Sequence, residues 1–260
     1  MSTAILKGDF SALAENYAKY RPDYARPVLS ALIGLINKPA QQMCFADVGA
    51  GTGIWTRMLA SIPYTSVIAV EPNDAMCCQG IASSRSLSNI SWVKGSAEKT
   101  HLESNSLDLL TMASSFHWSD FETTMSEFQR VLKPGGWFAA LWNPRHIENN
   151  PLLLQIEAHI SKLAPKISRV SSGKSEFVET LSHRFNSLPA FNNLTYLESM
   201  HDISYTKAEY IGVWLSVNDI RHQMGEEKFT AFIDFLNNQL ADGKIIRCAY
   251  LTRMWAMQKK

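Results

Sequence analysis

Three glycines and one distant glutamate have the types and spacing that could bind a nucleoside. Gly49, Gly51 and Gly53 alternate along the chain, and Glu71 follows twenty residues after Gly51. Glycine lacks a Cβ atom, so it can adopt positive φ angles and lets a ligand lie directly against the backbone. A carboxylate at the end of a second strand can accept hydrogen bonds from both hydroxyls of a ribose. The pattern therefore predicts a ligand that carries a nucleoside.

The segments around these residues must position them. The short apolar run 43–48 ends at the first glycine, as a strand buried on both faces would. A helix is expected to begin near Thr52, with its free N–H groups and the positive end of its dipole facing the glycines. The next apolar run, 66–70, ends at Glu71. The predicted order of strand, glycine loop, helix and strand creates a corner that suits a polar, partly anionic ligand.

Two nucleoside ligands fit this corner, nicotinamide dinucleotides and S-adenosylmethionine. A dinucleotide fold uses G-x-G-x-x-G, whose third glycine allows close packing of helix and strand. Here the sequence is G-A-G-T-G, and the large residue Ile54, followed by Trp55, stands where that third glycine should fall. S-adenosylmethionine has no diphosphate to enclose, so the tighter spacing favours it. A nicotinamide-dependent oxidoreductase and a non-catalytic cofactor-binding protein remain as alternatives.

Residues 47–53, Asp-Val-Gly-Ala-Gly-Thr-Gly, resemble the first motif of the class I S-adenosylmethionine-dependent methyltransferases. Further motifs in order, including Leu-Lys-Pro-Gly-Gly at 132–136, extend the resemblance over about residues 10–145. The most similar group is the small-molecule methyltransferases of the trans-aconitate methyltransferase type. The resemblance implies S-adenosyl-L-methionine as cofactor. It also implies an α/β, Rossmann-like fold, a seven-stranded, mostly parallel sheet with a last antiparallel strand and helical cover segments.

The same resemblance implies a set of cofactor-binding residues. Arg21 in the N-terminal segment would pair with the methionine carboxylate, because a guanidinium suits bidentate carboxylate binding, and Tyr17 and Tyr20 would line the methyl-transfer face. Met76 would pack against adenine, and residues 97 and 98 would read the adenine edge. The implied set is Tyr20, Arg21, Gly49, Ala50, Gly51, Gly53, Glu71, Pro72, Met76, Ala97, Glu98 and Ser114.

A histidine-bearing aromatic loop, Phe116–Trp118, follows the predicted strand 107–113. Ligands in open α/β sheets bind beyond the carboxyl ends of the strands, so this loop should lie beside the sulfonium of the cofactor. His117 is therefore the candidate for a general base or a donor that orients the substrate. A structural role for His117 is the open alternative.

Composition narrows the partners. The chain has 260 residues, a net charge of +1 and no long basic run, which favours a small-molecule substrate over nucleic acid. No apolar run has membrane-spanning length and no signal pattern is evident, so a cytoplasmic protein without a membrane partner is expected. The four cysteines have no metal-ligand spacing, which predicts reduced thiols and no metal site.

The rest of the chain is expected to complete one compact domain. Residues 1–42 would form an N-terminal helical cover, 43–145 the cofactor-binding core, and 146–260 a helical substrate cover interleaved with the last two strands. The patterns predict helices within 151–190 and 207–241, and strands at 193–206 and 244–257. Aromatic residues of the cover helices would line the substrate pocket.

Overall fold

The computed structural model describes residues 13–39, 43–167 and 175–260. Parts of two predicted cover segments, residues 1–12, 40–42 and 168–174, lie outside the described residues.

One mixed sheet runs through the described chain. Its strands lie in the order β3-β2-β1-β4-β5-β8, and β7 pairs with β8 along the edge that β5 leaves free. β1 to β5 are parallel, whereas β8 is antiparallel to its neighbours. The strands are β1 Cys44–Val48, β2 Ser66–Val70, β3 Ile90–Val93, β4 Leu107–Ala113, β5 Leu132–Trp142, β6 Arg145–His146, β7 Phe191–Tyr205 and β8 Ile246–Lys259.

The described sheet has eight strands where the sequence predicts seven, and the additional one is the two-residue β6. Trp142 in β5 lies opposite Arg253, and Arg145 in β6 lies opposite Tyr250, so both strands follow one register along β8. Pro144 interrupts the ladder because proline has no N–H to donate, although its carbonyl still accepts from Leu251 N at 2.9 Å. β6 is therefore a continuation of β5, and the predicted plan is confirmed with this addition.

The parallel order places the predicted site at one edge of the sheet. β1 lies between β2 and β4, and all three run in the same direction. Their carboxyl ends therefore meet, and the residues that follow them, Gly49, Glu71 and Ser114, emerge at the same edge.

Eleven α-helices of the described chain surround the sheet, in addition to the short 3-10 helix Phe116–Trp118. The α-helices are α1 Ala14–Tyr20, α2 Arg26–Leu35, α3 Ile54–Ala60, α4 Asp74–Ser84, α5 Phe121–Val131, α6 Pro151–Leu163, α7 Glu176–Glu179, α8 Leu181–Asn186, α9 Lys207–Leu215, α10 Asn218–Met224 and α11 Glu226–Gln239. Asp120 caps α5, because its side chain accepts from Thr123 N at 2.9 Å.

Three apolar clusters hold these layers together. In one, α2 and α3 pack on the sheet through buried side chains such as Leu32 and Leu59. In a second, α5 packs on the sheet through Phe128. A third cluster lies among α6, α9, α10 and α11, where Trp214 and Phe232 are fully buried. The helical cover over the C-terminal half therefore has its own core.

Two predicted cover helices lie elsewhere. α7 and α8 pack with α5 rather than over the site, and the ring of Phe185 in α8 lies 5.8 Å from that of Phe138 in β5. Their apolar side chains join the buried phenylalanines of the second cluster, a packing choice that helical periodicity alone does not predict.

Element boundaries differ in two places that matter for the site. α3 begins at Ile54 rather than near Thr52, because Gly53 is its N-cap with a φ of 76°. β5 begins at Leu132, so the Leu-Lys-Pro-Gly-Gly motif at 132–136 lies inside the strand, as an irregular stretch where the register with β4 shifts. Gly135 supplies a φ of 78° there, which accommodates the extra residues.

Within the described ranges, no helix has both the length and the apolar character needed to cross a bilayer. The same residues contain no group of three or more histidine, cysteine or acidic side chains arranged to hold a metal ion.

Candidate cofactor and acceptor site

A cavity of about 280 Å³ opens at the carboxyl edge of β1, β2 and β4. It brings together residues from the whole described chain, which the sequence alone separates by more than two hundred positions. Of the predicted cofactor residues, those lining it are Arg21, Gly49, Ala50, Gly51, Glu71, Pro72, Met76, Ala97, Glu98 and Ser114. Tyr20, Gly53 and His117 are not among the lining residues.

The glycine loop, residues 49–53, is shaped by left-handed backbone. Gly49, Gly51 and Gly53 have φ angles of 66°, 57° and 76°, which side-chain-bearing residues rarely adopt. A Cβ on Gly49 would lie 2.7 Å from the side chain of Ser115, so no other residue fits without movement. The Gly49 amide donates to the Val70 carbonyl at 2.8 Å, which fixes the loop to the end of β2. The loop therefore presents bare backbone to the cavity.

Glu71 is connected directly to this loop. One carboxylate oxygen accepts from Gly51 N at 2.7 Å, and the other accepts from Asn73 N at 2.9 Å. Burial raises the pKa of Glu71, and these two backbone bonds oppose the rise. Each carboxylate oxygen can accept more than one hydrogen bond, so the group retains acceptor capacity for ribose hydroxyls.

Asp47 lies beneath the loop at the end of β1 and is buried. Its carboxyl group accepts from Thr56 Oγ1 of α3 at 2.7 Å and from Thr111 Oγ1 of β4 at 3.2 Å. Burial raises its pKa to about 7, although both threonine bonds lower it. Asp47 thus links the strand, the helix and the neighbouring strand that carry the loop.

The adenine side predicted from the resemblance is assembled around α4. The Met76 methyl lies 3.3 Å from the place where a Cβ of Gly51 would stand, so the side chain covers the loop. Ala97 is buried, and Glu98 accepts from Asp120 N at 2.9 Å. Glu98 is therefore already held by the N-cap residue of α5, and its recognition of an adenine edge remains a prediction.

The N-terminal segment closes the cavity from above the loop. Arg21 Nε donates to Ser216 Oγ at 2.8 Å, and Nη2 donates to the Ser216 carbonyl at 3.2 Å, which joins the segment to the end of α9. The Tyr24 and Ser114 hydroxyls lie 2.8 Å apart. Tyr20 instead packs on Gly212 of α9, where a Cβ would lie 2.3 Å from its ring. Tyr20 therefore anchors the segment, while Arg21 and Tyr24 reach the cavity.

His117 faces the protein interior. Its Nδ1 accepts from Trp142 Nε1 at 3.3 Å, which places the ring proton on Nε2, and that atom is buried without a partner. Burial lowers the pKa of His117 to about 4. The adjacent Trp118 lines the cavity in its place. This geometry favours the structural alternative, and the role of His117 as a base remains a prediction.

Sequence reasoning missed several lining residues. They include Tyr24, Trp118, Asn143 and Tyr250. Trp118 belongs to the aromatic loop that the sequence already marks as part of the site. His117, its neighbour, is the residue predicted to act there. Asn143 and Tyr250 carried no motif, because the end of β5 and the strand β8 come together at the cavity only through long-range pairing.

Residues 46–140 match the methyltransferase domain family model Methyltransf_11. An uncharacterized methyltransferase of Mycobacterium tuberculosis is 32% identical over 136 residues, which cover 52% of each chain. The chain thus spans about half the length of the curated relatives it matches first.

Solved structures share the fold over more of the chain. A type II methyltransferase structure from Anaeromyxobacter dehalogenans superposes with a TM-score of 0.65 at 21% identity, covering 91% of this chain and 97% of that one. A geranyl diphosphate C-methyltransferase from Streptomyces coelicolor, solved with Mg²⁺, geranyl diphosphate and S-adenosyl-L-homocysteine, gives 0.52 at 13% identity, covering 99% and 100%.

The sheet order, the glycine loop and the acid after β2 define a Rossmann-like fold with a nucleoside site. With the family match, residues 46–140 are a class I S-adenosylmethionine-dependent methyltransferase domain. The site fits that cofactor on structural grounds, because the loop backbone is bare where a Cβ would clash and buried Glu71 faces the cavity. The similarity to trans-aconitate methyltransferases in particular remains a prediction.

Proposed function

We propose that the protein transfers a methyl group from S-adenosylmethionine to a small-molecule acceptor. The observation that carries this proposal is the shared cavity. The glycine loop and Glu71 border it at one place, and Tyr24, Asn143 and Tyr250, which we call the acceptor side, also line it. A cofactor and an acceptor could therefore meet within one space.

The size of the acceptor follows from what covers this space. The N-terminal segment is fastened to α9 by Arg21 and packed on it by Tyr20, so it narrows access from that direction. A volume of about 280 Å³ is at the lower end for small-molecule sites. These features support a metabolite-sized acceptor over a nucleic acid, and we expect the protein to act in the cytoplasm.

When bound, the cofactor supplies an already activated methyl group on its sulfonium. The residues of this chain then have to hold an acceptor atom in line with that methyl and exclude water. Trp118 offers an aromatic face to a cation, and Tyr24 and Asn143 offer hydrogen-bonding groups. Burial raises the pKa of Tyr24 above its ordinary value, so its hydroxyl stays neutral near pH 7.

A base is required only when the acceptor atom must lose a proton. A carboxylate acceptor requires none, whereas a hydroxyl or a ring carbon does. His117 is poorly suited to that task as placed, since its pKa is lowered to about 4 and its ring does not line the cavity. The geometry therefore supports an acceptor that is already nucleophilic.

The test is methyl transfer from isotopically labelled S-adenosylmethionine to a fractionated metabolite extract. We expect label in at least one small molecule, and loss of that label with Glu71→Ala. The matched control is Glu103→Ala, an exposed acidic residue outside the cavity. Binding of S-adenosylhomocysteine without any labelled product would instead support a non-catalytic cofactor-binding protein. Binding of NADH in its place would support the oxidoreductase alternative.

A further inference from the structure

Asn143 lies where three parts of the fold meet at the cavity. It follows β5 directly and lines the cavity, and its side chain contacts the N-terminal segment, β7 and β8. The amide nitrogen donates to the carbonyl of Asp23 at 3.0 Å. Because a carbonyl can only accept, this bond establishes which end of the amide is the nitrogen and which is the oxygen.

The oxygen of this amide is fully engaged. The Thr252 hydroxyl of β8 donates to Asn143 Oδ1 at 2.8 Å, and the same hydroxyl accepts from Ala25 N at 2.8 Å. On the β7 side, His201 Nε2 lies 3.0 Å from Oδ1. An amide oxygen has two lone pairs, so these two contacts use its whole capacity to accept hydrogen bonds.

The tautomer of His201 follows from the same contacts. Since Oδ1 of Asn143 can only accept, Nε2 must carry the ring proton and donate it. Burial lowers the pKa of His201, and the carboxylates of Asp202 and Asp23 oppose that decrease. The neighbouring ring of Tyr250 in β8 has its centroid 5.8 Å from that of His201. The imidazole is therefore a neutral donor to the amide near pH 7.

One hydrogen-bonding group of Asn143 remains for a ligand. The amide nitrogen carries two protons, and one of them is used by the bond to Asp23. The second N–H has no hydrogen-bond partner within the part of the chain that the structure describes. Asn143 is only half-buried and lines the cavity, so a molecule bound there can reach this N–H, whereas the oxygen is already occupied.

We propose that Asn143 donates this N–H to an oxygen lone pair of the methyl acceptor, and that His201 is the positioning residue that holds the amide in this orientation. An amide free to turn over would present either a donor or an acceptor, and the bonds from Thr252 and His201 prevent that exchange. This part of the site then favours a group that accepts hydrogen bonds over one that only donates them. The inference rests on the proposed function, because it places the acceptor in the shared cavity.

The experiment is NMR spectroscopy of the full chain, labelled with ¹⁵N and saturated with S-adenosylhomocysteine. At a pH where the ring is neutral, we expect His201 to show the tautomer that is protonated on Nε2. A ring protonated on Nδ1 alone could not donate to Asn143 Oδ1. That result would overturn the orientation of the amide and the proposal with it.

Two probes of similar shape then test the donor. Cyclohexanone carries an oxygen that only accepts hydrogen bonds, and cyclohexylammonium carries a group that only donates them. We expect cyclohexanone, in the millimolar range, to move the second Asn143 amide proton to higher chemical shift, and cyclohexylammonium to leave it unchanged. No response to cyclohexanone, or an equal response to both probes, would reject Asn143 as the donor.

Variants at His201 separate positioning from packing. His201→Phe keeps an aromatic ring but cannot donate to Oδ1, so it should weaken cyclohexanone binding about two- to tenfold. His201→Gln retains a side-chain N–H and should recover most of that affinity. His183→Phe, at an exposed histidine of α8, is the matched control and should bind as the wild type does. Normal ketone binding by His201→Phe, or no recovery in His201→Gln, would show that His201 positions nothing.

The affinity for S-adenosylhomocysteine keeps these results apart from misfolding and from the proposed function. All three variants should bind it as the wild type does. If His201→Phe does not, the tautomer and the probe responses of the wild-type protein decide alone. A protein that transfers methyl groups yet ignores cyclohexanone loses only the roles of Asn143 and His201. A wild-type protein that transfers none fails the proposed function, and the His201 tautomer still tests the orientation of the amide.

Discussion

The glycine loop and the acceptor side border one cavity, yet the loop presents backbone to it and the acceptor side presents side chains. The loop consists of backbone with positive φ angles. Its amides donate hydrogen bonds to the Val70 carbonyl and the Glu71 carboxylate, which hold it in place. The acceptor side consists of side chains from the N-terminal segment, from the residue that follows β5 and from β8. Backbone recognition suits a ligand that never changes, whereas side chains can be replaced singly. We therefore expect substitutions to be tolerated less at the glycine loop, which binds the cofactor, than at the acceptor side.

The largest expected effect concerns buried Asp47, under the glycine loop. Its pKa rises from 3.8 to about 7 on folding, so the folded state holds this proton more tightly. That contribution to stability is fully present below about pH 4 and is lost as the pH rises to about 7. The rise corresponds to roughly 4 kcal/mol.

Urea unfolding at a series of pH values checks this prediction. Asp47→Asn should remove that pH-dependent contribution, which is visible as the difference between the two stability curves. His117 contributes the opposite slope, because its lowered pKa supplies stability that is lost as the pH falls from 6.5 to about 4. The difference curve cancels the His117 term, and a flat difference would show that Asp47 is not buried as a carboxyl group.

Glu71→Ala tests the side chain that connects the glycine loop to the bound cofactor. Removing it should weaken S-adenosylhomocysteine binding by roughly 1–3 kcal/mol, because ribose hydroxyls and Gly51 N lose a buried acceptor. Isothermal titration gives the affinity. Tyr250→Phe on the acceptor side is the matched control and should bind the same ligand normally. Equal losses in both variants would remove the distinction between the glycine loop and the acceptor side.

Gly49→Ala tests the backbone itself. A side chain there is strained at a φ of 66° and meets Ser115, so we expect a loss of about 1–3 kcal/mol in stability. Thermal unfolding provides the measurement. Gly34→Ala in α2 is the control, since nothing lies within 4 Å of its Cβ position and helix propensity favours alanine. It should be neutral or slightly stabilising, and the reverse order of the two variants would contradict the assigned loop geometry.

Ser216→Ala should have the smallest effect. Ser216 ends α9 and holds Arg21 of the N-terminal segment beside the cavity. The substitution removes the hydroxyl that accepts from Arg21 Nε, which should cost about 1 kcal/mol of stability. We expect a modest rise in the KM for S-adenosylmethionine with little change in kcat, because Arg21 is then less firmly placed for the methionine carboxylate. Ser161→Ala on the exposed side of α6 should leave both quantities unchanged. An unaltered KM in Ser216→Ala would mean that Arg21 needs no such anchor.

The sequence by itself determined the glycine loop and the acid beside it. Gly49, Gly51, Gly53 and Glu71 lie within one strand-loop-helix-strand segment, so their geometry follows from local rules about φ angles, strand ends and helix starts. The N-cap at Asp120 follows from the same kind of short-range pattern. These features were predictable because the residues that interact are near one another in the chain.

Only the tertiary structure decided the acceptor side. Tyr250 reaches the cavity because β8 inserts between β5 and β7, and Asn143 reaches it at the end of β5. Likewise, Trp118 rather than His117 lines the cavity. The reason is that the His117 ring lies against Trp142 and accepts its indole N–H. Such choices depend on burial against distant strands, which residue types and spacing do not encode locally.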